Sequence, residues 1–376
     1  MREALRGVSG LVAVSVVAGL GCSSANSGGG GGAGGAGAGT GLGGSGASIS
    51  IGGAGGGSGG GGPLVCDPGA FDIPGNNFDD DCDGTADNEV VGCDSGIPDI
   101  GYTDPMSAAH AIGLCKAAQP GQPGWGVLEA KYVKADGTAG VNPVSHGLLP
   151  NFGPNVQVQE GVNMLVLSSG TARRPGDIGY SSPQGFDSGT TSQQPAGFPI
   201  DTPACPGVTT GGPANNPAGF ELRLRAPTNA KSFTFNFNFY TFEYPAWICS
   251  AYNDFFIALQ SPAPSNAVQG NISFDAASNP VSVNNGLLEV CSPGTYGGKS
   301  FACPLGTAQL QGTGFEGHAA TGWLETQSPV EPGGEFTLRF VVYDVGDEIL
   351  DSTVLIDNFK WSVEESTGSV TKPVPR

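Results

Sequence analysis

The stretch Asn76–Glu89, NNFDDDCDGTADNE, sets five aspartates and one glutamate around a single cysteine and glycine. Counted from Asp79, acids fall at positions 1, 3 and 5 (Asp79, Asp81, Asp83), glycine at 6 (Gly84) and a further acid at 9 (Asp87). This is the spacing of an EF-hand-like calcium loop, where alternate carboxylates converge on one cation and glycine permits the sharp turn. Position 12, the usual bidentate glutamate, is Val90 here, and Glu89 comes one place early. Glu89, Asn76 or Asp72 would have to complete the shell. The flanking segments are not long amphipathic helices, so a true EF-hand is not expected. Oxygen donors with no histidine nearby favour Ca²⁺ over copper. With the glutamate missing, the expected Kd is weak, on the order of 10⁻⁴–10⁻³ M. The bland alternative is a solvated acidic turn beside a disulfide.

A second acidic group lies in YDVGDEILDS, where Asp344, Asp347 and Asp351 cluster at a strand end, with Asp357 one strand-length on. Such carboxylates can hold a structural Ca²⁺. They can equally cap turns, since Asp and Gly are common turn formers. Glu243 follows an aromatic strand and either joins that site or pairs with Arg339. Asn253 and Asp254, just before DFFIALQ, are ligand-binding candidates together with Glu243. Two carboxylates in a β-sandwich can hydrolyse glycosides, which makes a secreted glycan-active hydrolase the alternative function. Against it, there is no Glu-x-Asp-x-Glu strand, and Glu243 is far in sequence from Asp344. The three histidines, His110, His146 and His318, sit beside no nucleophile motif. No phosphate or dinucleotide loop is present. Trp247, Tyr240, Tyr252 and Trp323 could line a sugar-binding face, although strand aromatics more often belong to the core.

Composition narrows the setting. The 376 residues carry 34 Asp+Glu against 15 Lys+Arg, a formal net charge of −19. Nucleic acid and anionic lipid are bound through basic surfaces, so neither is expected as a partner. The imbalance is local as well: no Lys or Arg occurs between Arg6 and Lys116, while eleven acids lie from Asp67 to Asp104. Arg2 and Arg6 precede an apolar run too short to span a bilayer comfortably, which ends at Cys22. Small residue, cysteine, then a flexible polar tail resembles a bacterial lipoprotein signal, with Cys22 as the lipidated N-terminus and the one membrane attachment. Gly19 stands where that signal usually has leucine, so an ordinary secretory signal is the alternative. Setting Cys22 aside leaves eight of the nine cysteines: Cys66, Cys82, Cys93, Cys115, Cys205, Cys249, Cys291 and Cys303. An even set in an exported chain reads as up to four disulfides. Cys66–Cys82, Cys93–Cys115 and Cys291–Cys303 are the near-neighbour candidates.

The elements that must position these residues are mostly strands. Asp104 and Pro105 open a short Ala-rich helix. Beyond it, runs such as VLEAKYV, NMLVLSS, FELRLRA, SFTFNFNFYTF, DFFIALQ, EFTLRFVVYDV and STVLIDNFKWSV are separated by Gly, Pro, Asn and Ser. Phe233, Phe235, Phe237 and Phe239 alternate with Thr234, Asn236, Asn238 and Tyr240, which predicts one buried and one wet face. The expected fold is all-β: an antiparallel, jelly-roll-like β-sandwich with long Gly/Pro-rich loops and one short N-terminal helix. The expected organisation is a signal peptide (1–21), a lipidated cysteine with a disordered Gly-rich tether (22–62), a disulfide-stapled metal-binding segment (63–93), the sandwich ectodomain (94–365) and a disordered tail (366–376). The Gly/Ala/Ser tract of residues 27–62 gives a flexible reach of roughly 30–36 Å.

Two resemblances follow from these motifs. Cys66, Asp79, Asp81, Cys82, Asp83, Gly84 and Asp87 resemble one copy of a short metal-binding repeat, Asp-x-Asp-Cys-Asp-Gly, of bacterial surface proteins. The family's name refers to copper, whereas the ligand chemistry here favours calcium. FNFNFYTFEYPAWICSAYNDFFIALQ and RFVVYDVGDEILDSTVLIDNF resemble the two signature segments of the choice-of-anchor L domain. The matching residues are Glu243, Tyr244, Pro245, Asn253, Asp254, Asp344, Gly346, Asp347, Asp351 and Ser352, and the resemblance spans about 95–365. A Pro/Gly-rich insertion near 171–219 departs from it. The resemblance implies a secreted or surface protein without enzymatic activity. A cell-surface, calcium-stabilised binding or adhesion module is therefore the main expectation, with a polysaccharide or protein as its partner.

Overall fold

The structure is a computed structural model describing residues 65–89, 92–98, 104–285 and 287–375. The expected signal peptide, Cys22 and the glycine tether lie outside the described residues. Helix α1 (Pro105–Ala111) starts where the sequence puts it, because the Asp104 carboxylate accepts from Ser107 N at 3.0 Å and proline occupies the first turn. Strands β1 (Gly126–Val133), β2 (His146–Leu149) and β3 (Met164–Ser168) follow. Next come β4 (Thr191–Ser192), β5 (Ala214–Arg225), β6 (Ser232–Thr241), β7 (Phe255–Ser261) and β8 (Val281–Ser282). A hairpin of β9 (Gly294–Tyr296) and β10 (Lys299–Phe301) precedes β11 (Ala319–Ala320), β12 (Leu324–Pro329), β13 (Glu335–Asp344), β14 (Ser352–Ser362) and β15 (Val370–Pro373).

The strands pair antiparallel in two large sheets. One runs β1-β5-β13-β7-β8, with β4 beside β5; the other runs β15-β12-β6-β14-β3-β2, with β11 beside β6. The chain passes between sheets at β1→β2, β3→β4, β5→β6, β6→β7, β12→β13 and β13→β14, and returns to the second sheet between β8 and β11. Their facing surfaces share one core. Phe235 meets Phe340 with ring centroids 4.9 Å apart, and Phe237 meets Phe256 at 4.8 Å. Each buried aromatic of this kind stabilises the sandwich by about 1.5–3 kcal/mol through area removed from water. The alternation in β6 is therefore the inter-sheet seam, as expected.

Two expectations fail, for identifiable reasons. The second face of β6 is not wet: Asn236, Asn238 and Tyr240 are buried too. Tyr240 packs with Phe152 and Phe315 in a second core, where the loops bearing those residues cover the outside of the sheet. The tail is not a structureless stretch either. Val370–Pro373 pairs with Leu324–Gln327 as an edge strand, because Thr371 and its neighbours supply the β-ladder that β12 lacks on that side.

Four disulfides close the fold: Cys66–Cys82, Cys93–Cys115, Cys291–Cys303 and Cys205–Cys249. The last one ties the 171–219 insertion to the β6–β7 connection. The acidic segment and the sandwich belong to one compact unit.

Candidate functional site

The acidic segment is shaped by its own disulfide and by backbone amides. Asp67 N donates to Asp80 O at 2.7 Å beside Cys66–Cys82, and Gly84 takes a positive φ of 96°, the turn that only glycine makes without strain. Ligand oxygens of Asp72, Asp79 and Asp81 lie within 4.8 Å of one another. Three carboxylates at that separation fit a hard cation with oxygen ligands, such as Ca²⁺. Asp81 is pushed up by burial, with the charges of Asp83 and Asp72 adding.

Asp83 and Asp87 lie outside the converging three, although Asp72, Asp79 and Asp81 accept from backbone amides just as they do. Asp83 accepts from Thr85 N at 2.8 Å and Asn88 Nδ2 at 2.7 Å. Asp87 accepts from Asn76 N at 3.2 Å and Asn77 N at 3.0 Å. Glu89 is half-buried, with its carboxyl raised by burial, and is not one of the converging three. Nor is the segment without a basic neighbour, as its sequence surroundings suggest. Lys116 Nζ comes within 3.9 Å of Asp81 while lying 4.4 Å over the Trp125 ring. Folding brings that lysine across; local sequence could not show it.

The segment docks on the sandwich. Phe71 N donates to Asn229 Oδ1 at 3.0 Å, Asn229 Nδ2 donates to Phe71 O at 2.8 Å, and Trp125 Nε1 donates to Ala70 O at 2.6 Å. Beside this joint is a cavity of about 280 Å³, lined by Phe71, Trp125, Phe359 and Trp361, with Asp72, Glu89, Lys116, Glu160 and Lys360 among its polar groups. Asp72 thus serves both the carboxylate group and the cavity wall.

A second acidic group sits between the sheets. Along β6, Phe233 to Phe239 face the seam at every second residue, and the same step continues through Thr241 to Glu243. On β13, Leu338, Phe340 and Val342 face it, and Asp344 is next in step, just beyond a register shift opposite β5. On β7, Ala258 and Phe256 face it, and Asp254 is next. The strand register places Asp254 beside Asp344, one step past Phe255↔Tyr343. Asp351 enters from the turn before β14, its carboxylate against Gly170, where any Cβ would overlap it. All four carboxylates are at most 1% exposed.

Few partners meet them. Ser352 Oγ donates to Asp254 Oδ2 at 2.7 Å, and Asn216 Nδ2 donates to Asp344 Oδ2 at 3.3 Å. Both oxygens of Glu243, Oδ1 of Asp344 and both oxygens of Asp351 lack a hydrogen bond of good geometry. None of the four pairs with a lysine or arginine among the described residues. Burial raises Glu243 and Asp254, each further by the charge of Asp347, and Glu243 by Asp254 as well. Asp344 stands well above the usual carboxylate range through burial, with Asp254 and Asp351 adding. Burial, then the charge of Asp254, takes Asp351 up to about 8, against a small opposing effect of the Phe186 amide.

The order and spacing of these residues decide the family. A sequence profile of the choice-of-anchor L domain matches residues 127–360. The chain belongs to that family. No curated protein and no solved structure gives a significant match. The choice-of-anchor L domain is not an enzyme family, and it marks cell-surface or exported proteins. Among the described residues, no helix is long and apolar enough to cross a membrane.

Within the choice-of-anchor L domain the remaining expected residues separate. Asp347 is at the rim, where its carboxylate accepts from Ile349 N at 3.3 Å. Asp357 is elsewhere on β14, accepting from Gln159 N at 2.6 Å and Glu160 N at 3.3 Å, so it holds a loop. Asn253 accepts from Asn284 N at 3.0 Å. Glu243 does not pair with Arg339, because Arg339 is taken by Glu221 across β5 and β13. Tyr240 is core, while Trp247 and Tyr252 pack edge-to-face at 5.0 Å, so the four aromatics form no single sugar-binding face. His146 stacks on Tyr132 and His318 on Phe242, both as structural groups. Sequence reasoning missed Ser352 as a donor, Asn216 and Gly170. The one available signal was the period of two carried past each strand end.

Proposed function

We propose that this protein is an exported lipoprotein, anchored through Cys22 and lifted from the outer membrane or cell surface by its glycine tether. Its choice-of-anchor L domain serves as a non-catalytic, calcium-stabilised binding or adhesion module. The observation that carries this reading is the double role of Asp72. It belongs to the three converging carboxylates and also walls the cavity framed by Trp125 and Trp361. A cation on Asp72, Asp79 and Asp81 would neutralise like charges and fix one wall of that cavity, coupling calcium to ligand capture. Aromatic floors with a few polar groups suit a polysaccharide or a protein side chain. The four disulfides support an oxidising, extracytoplasmic setting. Against a hydrolase, the paired carboxylates Glu243 and Asp254 are each 1% exposed, out of a polymer's reach.

The test is a panel of polysaccharides and surface proteins, read for binding in Ca²⁺ and in EDTA and for released sugar. Binding that is lost in EDTA and in Trp361→Ala, with no sugar released, supports the reading. Release of sugar abolished by Glu243→Gln would replace it with a hydrolase. An unmodified N-terminus downstream of Cys22, seen by mass spectrometry, would remove the lipid anchor.

A further inference from the structure

The cavity beside Trp125 and Trp361 combines two features that together select a ligand. The first is an aromatic corner. Trp361 meets Trp125 edge-to-face with ring centroids 6.3 Å apart, and meets Phe359 edge-to-face at 5.0 Å. Trp125 and Phe359 are buried, whereas Trp361 keeps part of its surface exposed and so offers the contact. A cation within about 6 Å of an indole ring is attracted by its π-face. The chain already uses this chemistry here, because Lys116 Nζ lies 4.4 Å over Trp125.

The second feature is carboxylate without a basic partner. Glu89 enters the wall from the acidic segment and Glu160 from the loop before β3. Neither forms an ion pair among the described residues. Glu160 Oε2 is buried with no hydrogen bond of good geometry. It lies against Gly113, another wall residue, where an added Cβ would come within 3.2 Å of it. Burial raises both carboxyls, with Lys116 opposing at Glu89 and Lys360 at Glu160, so their lost hydration is not offset. Size and charge narrow the occupant further. At about 280 Å³ the space falls just under the roughly 300–1,000 Å³ of small-molecule sites, room for one side chain rather than a run of sugars. The chain's net charge of −19 draws a basic surface toward it.

We infer that this cavity receives the cationic end of a lysine or arginine side chain presented by a basic partner protein, with Trp361 as its aromatic face and Glu89 and Glu160 as its counter-charges. This occupant rests on the binding role of the cavity proposed above and gives it a chemistry. A guanidinium or ammonium supplies the donor that Glu160 Oε2 lacks, in a charge-assisted hydrogen bond. The same group is held on indole by cation–π attraction, which neutral sugar hydroxyls do not supply. Lys116 does not fill this role, since it sits on Trp125 within 3.9 Å of Asp81. Lys360 is exposed and forms no ion pair with Glu160.

Calorimetric titration of the full-length protein tests this with three probes: hexaarginine, hexalysine, and hexalysine acetylated on every Nζ. The two basic peptides should bind and the acetylated one should not. Glu160→Gln keeps the shape of the side chain and should weaken binding on the order of 10- to 100-fold, because a charge-assisted hydrogen bond is lost. Glu89→Gln should weaken it too, which gives an independent reading should the first variant not fold. Glu348→Gln removes the same charge from an exposed turn outside the cavity and should change affinity less than about twofold. Equal losses in all three variants would mean that net charge alone attracts the peptide, and would overturn the site. Failure of both basic peptides to bind overturns it as well. If a polysaccharide then still binds in a Trp361-dependent way, the binding-module reading stands without this ligand. Peptide binding that needs Glu160 but is unchanged in EDTA keeps the cationic ligand and removes its coupling to calcium.

Discussion

Ser352 and Asp254 belong to different sheets and are joined at 2.7 Å, the serine hydroxyl donating to the carboxylate just ahead of β7. Both groups are buried. Ser352→Ala should therefore leave a buried acceptor without its donor and cost about 1–3 kcal/mol. Urea unfolding would measure it, and a variant as stable as the wild type would show that the bond contributes nothing net.

Gly170 has an ordinary backbone conformation, yet any added carbon would overlap the carboxylate of Asp351. Gly170→Ala should destabilise by about 1–3 kcal/mol through overpacking. The readout is the denaturant midpoint. Full tolerance of alanine would mean that the Asp351 side chain swings away at no cost.

His146 stacks on Tyr132 with ring centroids 3.6 Å apart, and Arg173 Nη1 bonds its carbonyl at 3.0 Å. Burial first, and the Arg173 charge second, push the imidazole down from 6.5 to about 4. Tyr132 is raised by burial and stays neutral, so the facing charge is the Arg173 guanidinium. With the folded value below the unfolded one, the unfolded chain takes up a proton first as pH falls. This stability is thus complete above about 6.5, is lost down to about 4, and amounts to at most about 3 kcal/mol. His146→Phe keeps the stack and removes the titration. The difference in stability between wild type and variant should shift by about 2.5 kcal/mol between pH 7.5 and pH 4.5, most of the full effect, and a constant difference would refute the assignment.

Cys205–Cys249 spans 44 residues and secures the 171–219 insertion. In the chain-entropy account a loop of that size contributes about 4 kcal/mol. Replacing both cysteines with serine should lower stability by that order and expose the insertion to protease. Proteolysis unchanged from wild type would show that β4 and the insertion's own hydrogen bonds suffice.

Much of this architecture was legible from local pattern. Asp104–Pro105 gave the helix start, alternating phenylalanines gave the inter-sheet seam, and short separations pointed to three of the disulfides. What escaped was set by long-range packing. Asn236 and Asn238 are polar in sequence and buried in fact, because loops from residues about 80 positions away close over their sheet. Thr371 carries no strand signal strong enough to stand alone, but β12 offers it an edge. Lys116 reaches Asp81 only through the docking of two segments. At the acidic loop, spacing identified Asp79 and Asp81 but could not tell that Asp72, rather than Asp83 or Asp87, converges on them. Between the sheets, Glu243 and Asp344 are about a hundred positions apart, and only the strand register brings both to the same end of the seam.

The Cys66–Cys82 bridge has a mechanical meaning. A pull entering the chain ahead of Cys66 crosses the sulfur–sulfur bond to Cys82, so the fifteen residues between them are a bypassed loop that bears no tension. Asp72, Asp79 and Asp81 all lie in that slack, as do the Phe71 contacts with Asn229. Cys93–Cys115 shields α1 in the same way. Under shear these two segments would stay slack, and strain would fall on the backbone outside the rings.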